Sequence, residues 1–157
     1  MSRSKKRPEQ VSGSYAPLPF SVIDSQAFIG LTHYARSMLI MLCRQYDGTN
    51  NGHYQLTHTW LKRYGFTSRP LNVKAKRELE ERELIQQTKN GGMRKGAKLY
   101  AVTWLPISNK LGLDIIPIKG FRQGAYRLCN APPTPKRPQP KNIKAEQKND
   151  CSVVEPK

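Results

Sequence analysis

The stretch Thr57-His-Thr-Trp-Leu-Lys-Arg-Tyr-Gly-Phe66 decides the fold, because it ends one helix and turns the chain sharply towards another. Thr57 is a good N-cap residue for a short helix whose apolar side is formed by Trp60, Leu61 and Tyr64. Gly65 stands where the left-handed C′ residue of a Schellman turn belongs, and Phe66 stands where its apolar C″ contact belongs. A single continuous helix through this stretch is therefore excluded.

A second helix restarts immediately after that turn, at Thr67-Ser68, with Pro70 in its first turn where the missing N–H costs nothing. Stop and restart signals this close force the two helices to cross at a steep angle. Helical spacing predicts a helix over residues 69–82 with an inward stripe of Leu71, Ala75 and Leu79. The predicted outward residues are Arg69, Val73, Lys76, Arg77 and Glu80, with Asn72 and Lys74 on the flanks.

Charge is distributed unevenly along this second helix. Four of its five basic residues, Arg69, Lys74, Lys76 and Arg77, precede the acidic group of Glu78, Glu80, Glu81 and Glu83, and Arg82 lies within that group. The helix dipole alone would favour the reverse order. Positive groups near a helix N-terminus are typical of a helix whose N-terminal residues reach base edges in the major groove of DNA.

A basic hairpin is predicted after the second helix. Residues 84–88 and 98–104 are strand-like in composition. Between them, residues 89–97 combine three glycines with lysine and arginine, which predicts a flexible basic tip. Residues 54–56 are the predicted small strand that pairs with this hairpin. The order of helix, turn, helix and hairpin predicts an α+β fold of the winged helix-turn-helix class, with three or four helices and a β-hairpin wing.

The chain before this stretch is predicted to supply much of the core. Residues 15–23 contain two prolines and alternating apolar positions, which predicts an extended arm laid on the domain. Asp24-Ser25 is a candidate cap for a short helix that ends at Gly30. A longer helix is predicted over residues 33–46, with Thr32 as its cap and a buried stripe of Ala35, Met38, Leu39, Leu42 and Tyr46.

The predicted organisation has four parts. A disordered basic tail covers residues 1–14, and the winged helix-turn-helix domain covers 15–107. An apolar arm over 108–128 packs on the domain or on a partner. A disordered proline- and lysine-rich tail covers 129–157.

The composition points to a polyanionic partner. Lysine and arginine number 27 against 11 acidic residues, which gives a formal charge of +16. Basic groups that neutralise the phosphates of a nucleic acid release the counterions bound to it, which favours binding. Charge alone does not separate DNA from RNA or from an anionic membrane. The chain contains no apolar run of membrane-spanning length, so a cytoplasmic protein without membrane partners is predicted.

The three cysteines stand far apart, which favours neither a zinc site nor a disulfide framework. Cys43 lies on the apolar side of the helix over 33–46 and is predicted to be a packed core thiol. This cysteine usage fits a reducing compartment best.

Residues 17–107 resemble the winged helix-turn-helix proteins common on bacterial plasmids, phages and integrative elements. The matching stretches are Leu18-Pro-Phe-Ser-Val-Ile-Asp-Ser25, Tyr46-Asp-Gly-Thr-Asn-Asn-Gly52, Ala75-Lys-Arg-Glu-Leu-Glu-Glu81 with Leu84-Ile85, and Leu99-Tyr-Ala-Val-Thr-Trp104. The resemblance implies a bacterial protein that regulates transcription or takes part in replication of such an element. Glu83 departs from the pattern, because similar proteins usually carry glycine before the Leu-Ile pair. A left-handed glutamate costs about 1 kcal/mol more than glycine, so the sequence leaves two alternatives, a left-handed Glu83 or a differently shaped helix end.

Candidate DNA contacts fall on three elements. The second helix offers Ser68, Arg69, Asn72, Lys76 and Arg77. The wing offers Lys89, Asn90, Arg94, Lys95 and Lys98. The first helix offers Thr57, His58 and Lys62. Arginine and lysine pair with guanine and asparagine with adenine in the major groove, while a wing contacts phosphates or the minor groove. The alternatives are an ordinary solvated helix face, a solubilising loop and, for His58, plain solvent exposure.

The aromatic residues near the turn and the wing root have two interpretations, which are core packing and stacking on single-stranded nucleic acid. Their spacing matches the core stripe, so core packing is predicted for Trp60, Tyr64, Phe66, Tyr100 and Trp104.

The sequence therefore predicts sequence-specific binding of double-stranded DNA by a transcription regulator of a mobile genetic element. One alternative is a plasmid or phage replication initiation or accessory protein that binds origin DNA, and another is an RNA-binding module. The partners to consider are a second copy bound through the arm and a replication or transcription protein bound through the C-terminal tail. No catalytic motif, metal-ligand spacing or cofactor fingerprint occurs in the sequence, so no enzymatic activity, metal or cofactor is predicted.

Overall fold

The computed structural model describes residues 13–129, and the parts of the predicted tails over 1–12 and 130–157 lie outside the described residues. Among the described residues, helices pack around a small three-stranded antiparallel sheet, which is an α+β arrangement. The helices are α1 (Phe20–Ile23), α2 (Gln26–Ile29), α3 (His33–Cys43), α4 (His58–Lys62), α5 (Arg69–Glu81), α6 (Ile115–Lys119) and a 3₁₀ helix (Ala125–Leu128). The strands are β1 (Tyr54–Gln55), β2 (Ile85–Lys89) and β3 (Leu99–Val102).

Helix α3 runs through the core. Its N-cap is Thr32, whose hydroxyl accepts a hydrogen bond from the Ala35 amide at 3.3 Å. Its buried residues include Ala35, Met38, Leu39 and Leu42, as predicted. The helix ends at Cys43 and not at residue 46. The amides of Gln45 and Tyr46 bond to carbonyls three residues back, so the chain tightens into a turn before the loop that follows.

The segment over residues 15–23 is not extended throughout, because its second half forms α1. Pro19 stands at the N-cap, and its carbonyl accepts from the Val22 amide at 2.9 Å. This turn places Val22 in the core with its side chain fully buried. The predicted contact with the domain is confirmed at Pro17, whose carbonyl accepts from Trp104 Nε1 at 3.0 Å.

The sheet has the strand order β1-β3-β2, with both pairs antiparallel. Tyr100 of β3 pairs with Tyr54 on one side and with Gln87 on the other. The register shifts between Gln87 and Lys89, where β2 approaches the hairpin tip. These pairings confirm both the hairpin across residues 89–97 and the small strand predicted at 54–56.

The aromatic residues near the turn pack on the core, as predicted. Phe66 and Tyr100 are buried, and Trp60, Tyr64 and Trp104 are partly buried against the same cluster.

The segment over residues 108–128 folds back on the sheet. The Asp114 amide donates to the Thr88 carbonyl at 3.0 Å, and Gln86 Nε2 donates to the Pro117 carbonyl at 3.0 Å. Tyr126 is buried in the core cluster. The segment also leaves Leu111, Ile115 and Ile116 exposed, and its pairing with a partner stays a prediction.

Candidate nucleic-acid interface

The turn between α4 and α5 is a Schellman motif, as the sequence predicts. The Phe66 amide donates to the Leu61 carbonyl at 3.2 Å, and the Gly65 amide donates to the Lys62 carbonyl at 3.2 Å. Gly65 has a φ of +86°, and Phe66 is buried. At the other end of α4, the Thr57 hydroxyl accepts from the Trp60 amide at 3.3 Å and so serves as the cap. Local hydrogen bonds thus determine where α4 begins and ends.

Asn72 lies inside the protein and not on a flank of α5, so the predicted position is wrong. The residue is only 2% exposed. Its Oδ1 accepts from the Tyr34 hydroxyl at 2.6 Å, and its Nδ2 donates to the Phe66 carbonyl at 3.0 Å and lies 3.2 Å from His58 Nδ1. Since both amide hydrogens and the carbonyl oxygen have partners within the protein, this side chain holds the turn together and does not present a free edge for adenine.

The inward stripe of α5 also differs from the prediction at its first position. Ala75 and Leu79 are buried, as predicted, whereas Leu71 is 41% exposed. Asn72 takes the inward position at this end of the helix, because the first turn of α5 packs against the polar groups of the preceding turn. Leu71 is thereby displaced to the surface.

Glu78 joins α5 to the start of α3. Its carboxylate accepts from the Thr32 amide at 2.7 Å and from the Thr32 hydroxyl at 2.8 Å. A carboxylate bonded in this way stabilises the crossing of the two helices. One of the four glutamates near the end of α5 is therefore explained by structure.

The outer face of α5 is basic with one apolar residue in its middle. Arg69, Val73, Lys74 and Arg77 are exposed. Arg77 Nε lies 3.2 Å from Glu81 Oε1 in a solvent-exposed pair, which is weak. Lys74, which the helical spacing places on a flank, belongs to the basic residues of this surface.

Lys76 and Glu80 are half-buried where α5 meets the hairpin, so their predicted outward position holds only in part. Lys76 Nζ lies 3.4 Å from the Leu56 carbonyl oxygen. Burial lowers the pKa of Lys76, and the positive charge of Lys98 lowers it further. Burial raises the pKa of Glu80, which the charges of Lys98 and Lys76 oppose. The charges of Lys76, Glu80 and Lys98 therefore influence one another where α5 meets the hairpin.

The hairpin tip presents further cations. Arg94, Lys95 and Lys98 are exposed, and Lys89 is half-buried. The tip is closed by the Gly92 amide, which donates to the Gly96 carbonyl at 3.1 Å, and Arg94 has a φ of +70°. We call the exposed cations of α5 and of the hairpin the basic surface, which is defined by Arg69, Lys74, Arg77, Arg94, Lys95 and Lys98.

The remaining predicted contact residues differ in their exposure. Lys62 is exposed, whereas His58 and Ser68 are half-buried, Ser68 as the N-cap of α5. Asn90 is exposed, but its Oδ1 accepts from Gln87 Nε2 at 2.6 Å, and its backbone N–H donates to Asp114 Oδ2 at 2.7 Å. The hairpin base is thus tied to the segment that follows the sheet.

Glu83, which follows the C-cap of α5, adopts the left-handed conformation that glycine would adopt, so the helix ends in the usual way without a glycine. Glu83 has a φ of 54°. The Leu84 amide donates to the Leu79 carbonyl at 3.1 Å and the Glu83 amide to the Glu80 carbonyl at 2.9 Å, which is a second Schellman motif. The Thr103 hydroxyl donates to the Glu83 carbonyl at 2.7 Å, and Arg122 Nη2 lies 3.5 Å from Glu83 Oε1. These contacts hold the left-handed residue in place.

No known family model, curated protein or solved structure matches this chain. Across residues 13–129, no helix is both long and apolar enough to cross a membrane.

Proposed function

We propose that the protein is a winged helix-turn-helix protein that binds double-stranded DNA at a preferred sequence. Helix α5 enters the major groove, and the β2–β3 hairpin lies alongside as the wing. The observation that carries this proposal is the outer face of α5, on which Arg69, Val73 and Arg77 recur at intervals of one helical turn and are all exposed. A helix fits the major groove, and side chains in this arrangement can reach base edges.

Five residues of the basic surface have two kinds of contact under this proposal. Arg69 and Arg77 contact base edges, since an arginine can donate two hydrogen bonds to guanine O6 and N7. The hairpin cations Arg94, Lys95 and Lys98 contact phosphates, which adds affinity without sequence information. Lys62, at the end of α4, contacts the phosphate backbone of the same duplex.

The resemblance to proteins of plasmids, phages and integrative elements makes a transcription regulator of a mobile element in the bacterial cytoplasm our first assignment. The proline-rich basic sequence of residues 132–141 favours a second, a replication protein that binds origin DNA and recruits another protein. Deletion of residues 130–157 separates the two. Loss of element maintenance with DNA binding intact supports the second role, and normal maintenance removes it.

Selection of bound sequences from a random duplex pool, followed by affinity measurements on the selected site, tests the proposal. The Arg69→Ala and Arg77→Ala variants should each lose about 5- to 150-fold in affinity for that site, which corresponds to about 1–3 kcal/mol per base contact. Lys110→Ala, which removes an exposed positive charge from the segment after the sheet, is the matched control. Equal binding of all duplexes by native protein and variants would contradict the proposal. Stronger competition by structured RNA than by duplex DNA would favour an RNA-binding module instead.

A further inference from the structure

We propose that Val73 contacts the 5-methyl group of a thymine, so that the preferred DNA site contains a thymine between the bases contacted by Arg69 and Arg77. This inference rests on the duplex-DNA binding proposed above and names the base that the centre of α5 recognises.

Val73 is an apolar residue that lies on the surface and not in the core. The residue is 61% exposed, whereas Ala75 and Leu79 on the opposite face are 2% and 0% exposed. Valine on a helix surface is less favourable than alanine because the helix restricts its χ1 rotation. The residue at this position therefore contributes no core packing and slightly disfavours the helix.

The same stiffness makes Val73 suited to contact a base. A β-branched side chain in a helix has one strongly preferred rotamer, so its two methyl groups face outward in a fixed direction. Arg69 and Arg77 are each one helical turn away on the same face, and both are exposed. Val73 is thus an apolar site between two groups that donate hydrogen bonds.

Thymine is the base that matches this arrangement. In the major groove, thymine presents an apolar group, its C5-methyl, whereas guanine presents the O6 and N7 acceptors that arginine prefers. Arg77 is eight positions after Arg69, which is about 12 Å along the helix axis. That length corresponds to about four base pairs at a spacing of about 3.4 Å per step, enough for a thymine contact between two guanine contacts.

Replacement of thymine by deoxyuridine tests the contact, because it removes the 5-methyl group alone. The site is first selected from random duplex with the native protein, and each thymine is then replaced in turn. Native protein should lose about fourfold in affinity at one thymine per bound copy, the value expected when one buried methyl group is lost. The Val73→Ala variant should bind the thymine duplex with about fourfold lower affinity than the native protein does. It should bind the uracil duplex and the thymine duplex with the same affinity.

Leu71→Ala is the matched control, because Leu71 is 41% exposed on the same helix but lies about 160° away around its axis. This variant should keep the native preference for thymine, and the melting temperatures of both variants show that they fold. The inference is overturned if native protein binds every uracil duplex as well as the thymine duplex, or if Val73→Ala keeps the native preference at every position. If native protein selects no duplex sequence, the proposed function and this inference fall together.

Discussion

The Tyr34 hydroxyl donates a 2.6 Å hydrogen bond to Asn72 Oδ1 and so ties α3 to the first turns of α5. The same amide group donates to the Phe66 carbonyl at 3.0 Å, at the turn that ends α4. One buried side chain therefore connects three parts of the fold. It holds the angle at which α5 leaves the turn, and with it the positions of Arg69 and Val73.

Replacing Asn72 with alanine should lower the free energy of unfolding by about 1–3 kcal/mol, because the buried Phe66 carbonyl loses its side-chain partner. Urea unfolding measures the change. Tyr34→Phe removes one of the hydrogen bonds and should cost about 1 kcal/mol. The two substitutions should not be additive, since they act on one network. An Asn72→Ala variant as stable as the native protein would refute this role.

The free energy of unfolding of the Glu83→Gly variant should exceed that of Glu83→Ala by about 1 kcal/mol, because residue 83 has a left-handed conformation that a Cβ disfavours. Both variants lack the carboxylate that faces Arg122, so their difference isolates the backbone term. Thermal or urea unfolding of Glu83→Gly and Glu83→Ala gives this difference directly. Equal stability of the two would mean that residue 83 is not held left-handed in solution.

Stability should fall as the pH rises above about 9. Burial raises the pKa of the Cys43 thiol from 9.0 to about 12. Between these values the unfolded chain releases the thiol proton and the folded chain keeps it, so ionisation favours unfolding. The loss approaches about 1.4 kcal/mol for each unit of pH.

The measurement is the free energy of unfolding at pH 8, 9 and 10 for native protein and Cys43→Ala. The variant has a cavity and is less stable throughout, so the pH dependence is the readout. Tyr100, with its pKa raised from 10.0 to about 12 by burial, adds a similar loss that begins about one unit higher. An unchanged pH dependence in Cys43→Ala between pH 9 and 10 would show that the thiol does not contribute.

Lys95→Ala should weaken DNA binding by the same factor on all sequences, because this exposed residue of the hairpin tip is assigned to a phosphate. Loss of one phosphate contact should reduce the slope of log affinity against log salt concentration by about 0.9. Titrations at several salt concentrations, on the selected site and on an unrelated duplex, give both quantities. A loss confined to the selected site would assign Lys95 to a base instead.

The sequence predicts the features that depend on neighbouring residues. The Gly65-Phe66 turn and the caps at Thr32 and Thr57 depend on neighbouring residues, and all occur as predicted. The hairpin was readable for the same reason, since two strand-like runs border a glycine-rich tip.

Features that depend on tertiary packing were not readable. Helical periodicity places Leu71 inside and Asn72 on a flank, but the polar groups of Tyr34 and Phe66 reverse the two. Glu83 has a left-handed conformation that propensity disfavours, because Thr103 and the Schellman hydrogen bonds hold it. In both cases, a partner distant in sequence, Tyr34 or Thr103, helps to outweigh the local preference.

The most direct test of major-groove binding by α5 is selection from a random duplex pool by the native protein and by the double variant Arg69→Ala/Arg77→Ala, in parallel. We predict that the native protein enriches one consensus sequence and that the double variant, folded with native stability, loses it while keeping salt-dependent binding to any duplex. The same consensus from both proteins would contradict the assignment of α5 to the major groove. No consensus from the native protein would contradict sequence-specific binding altogether.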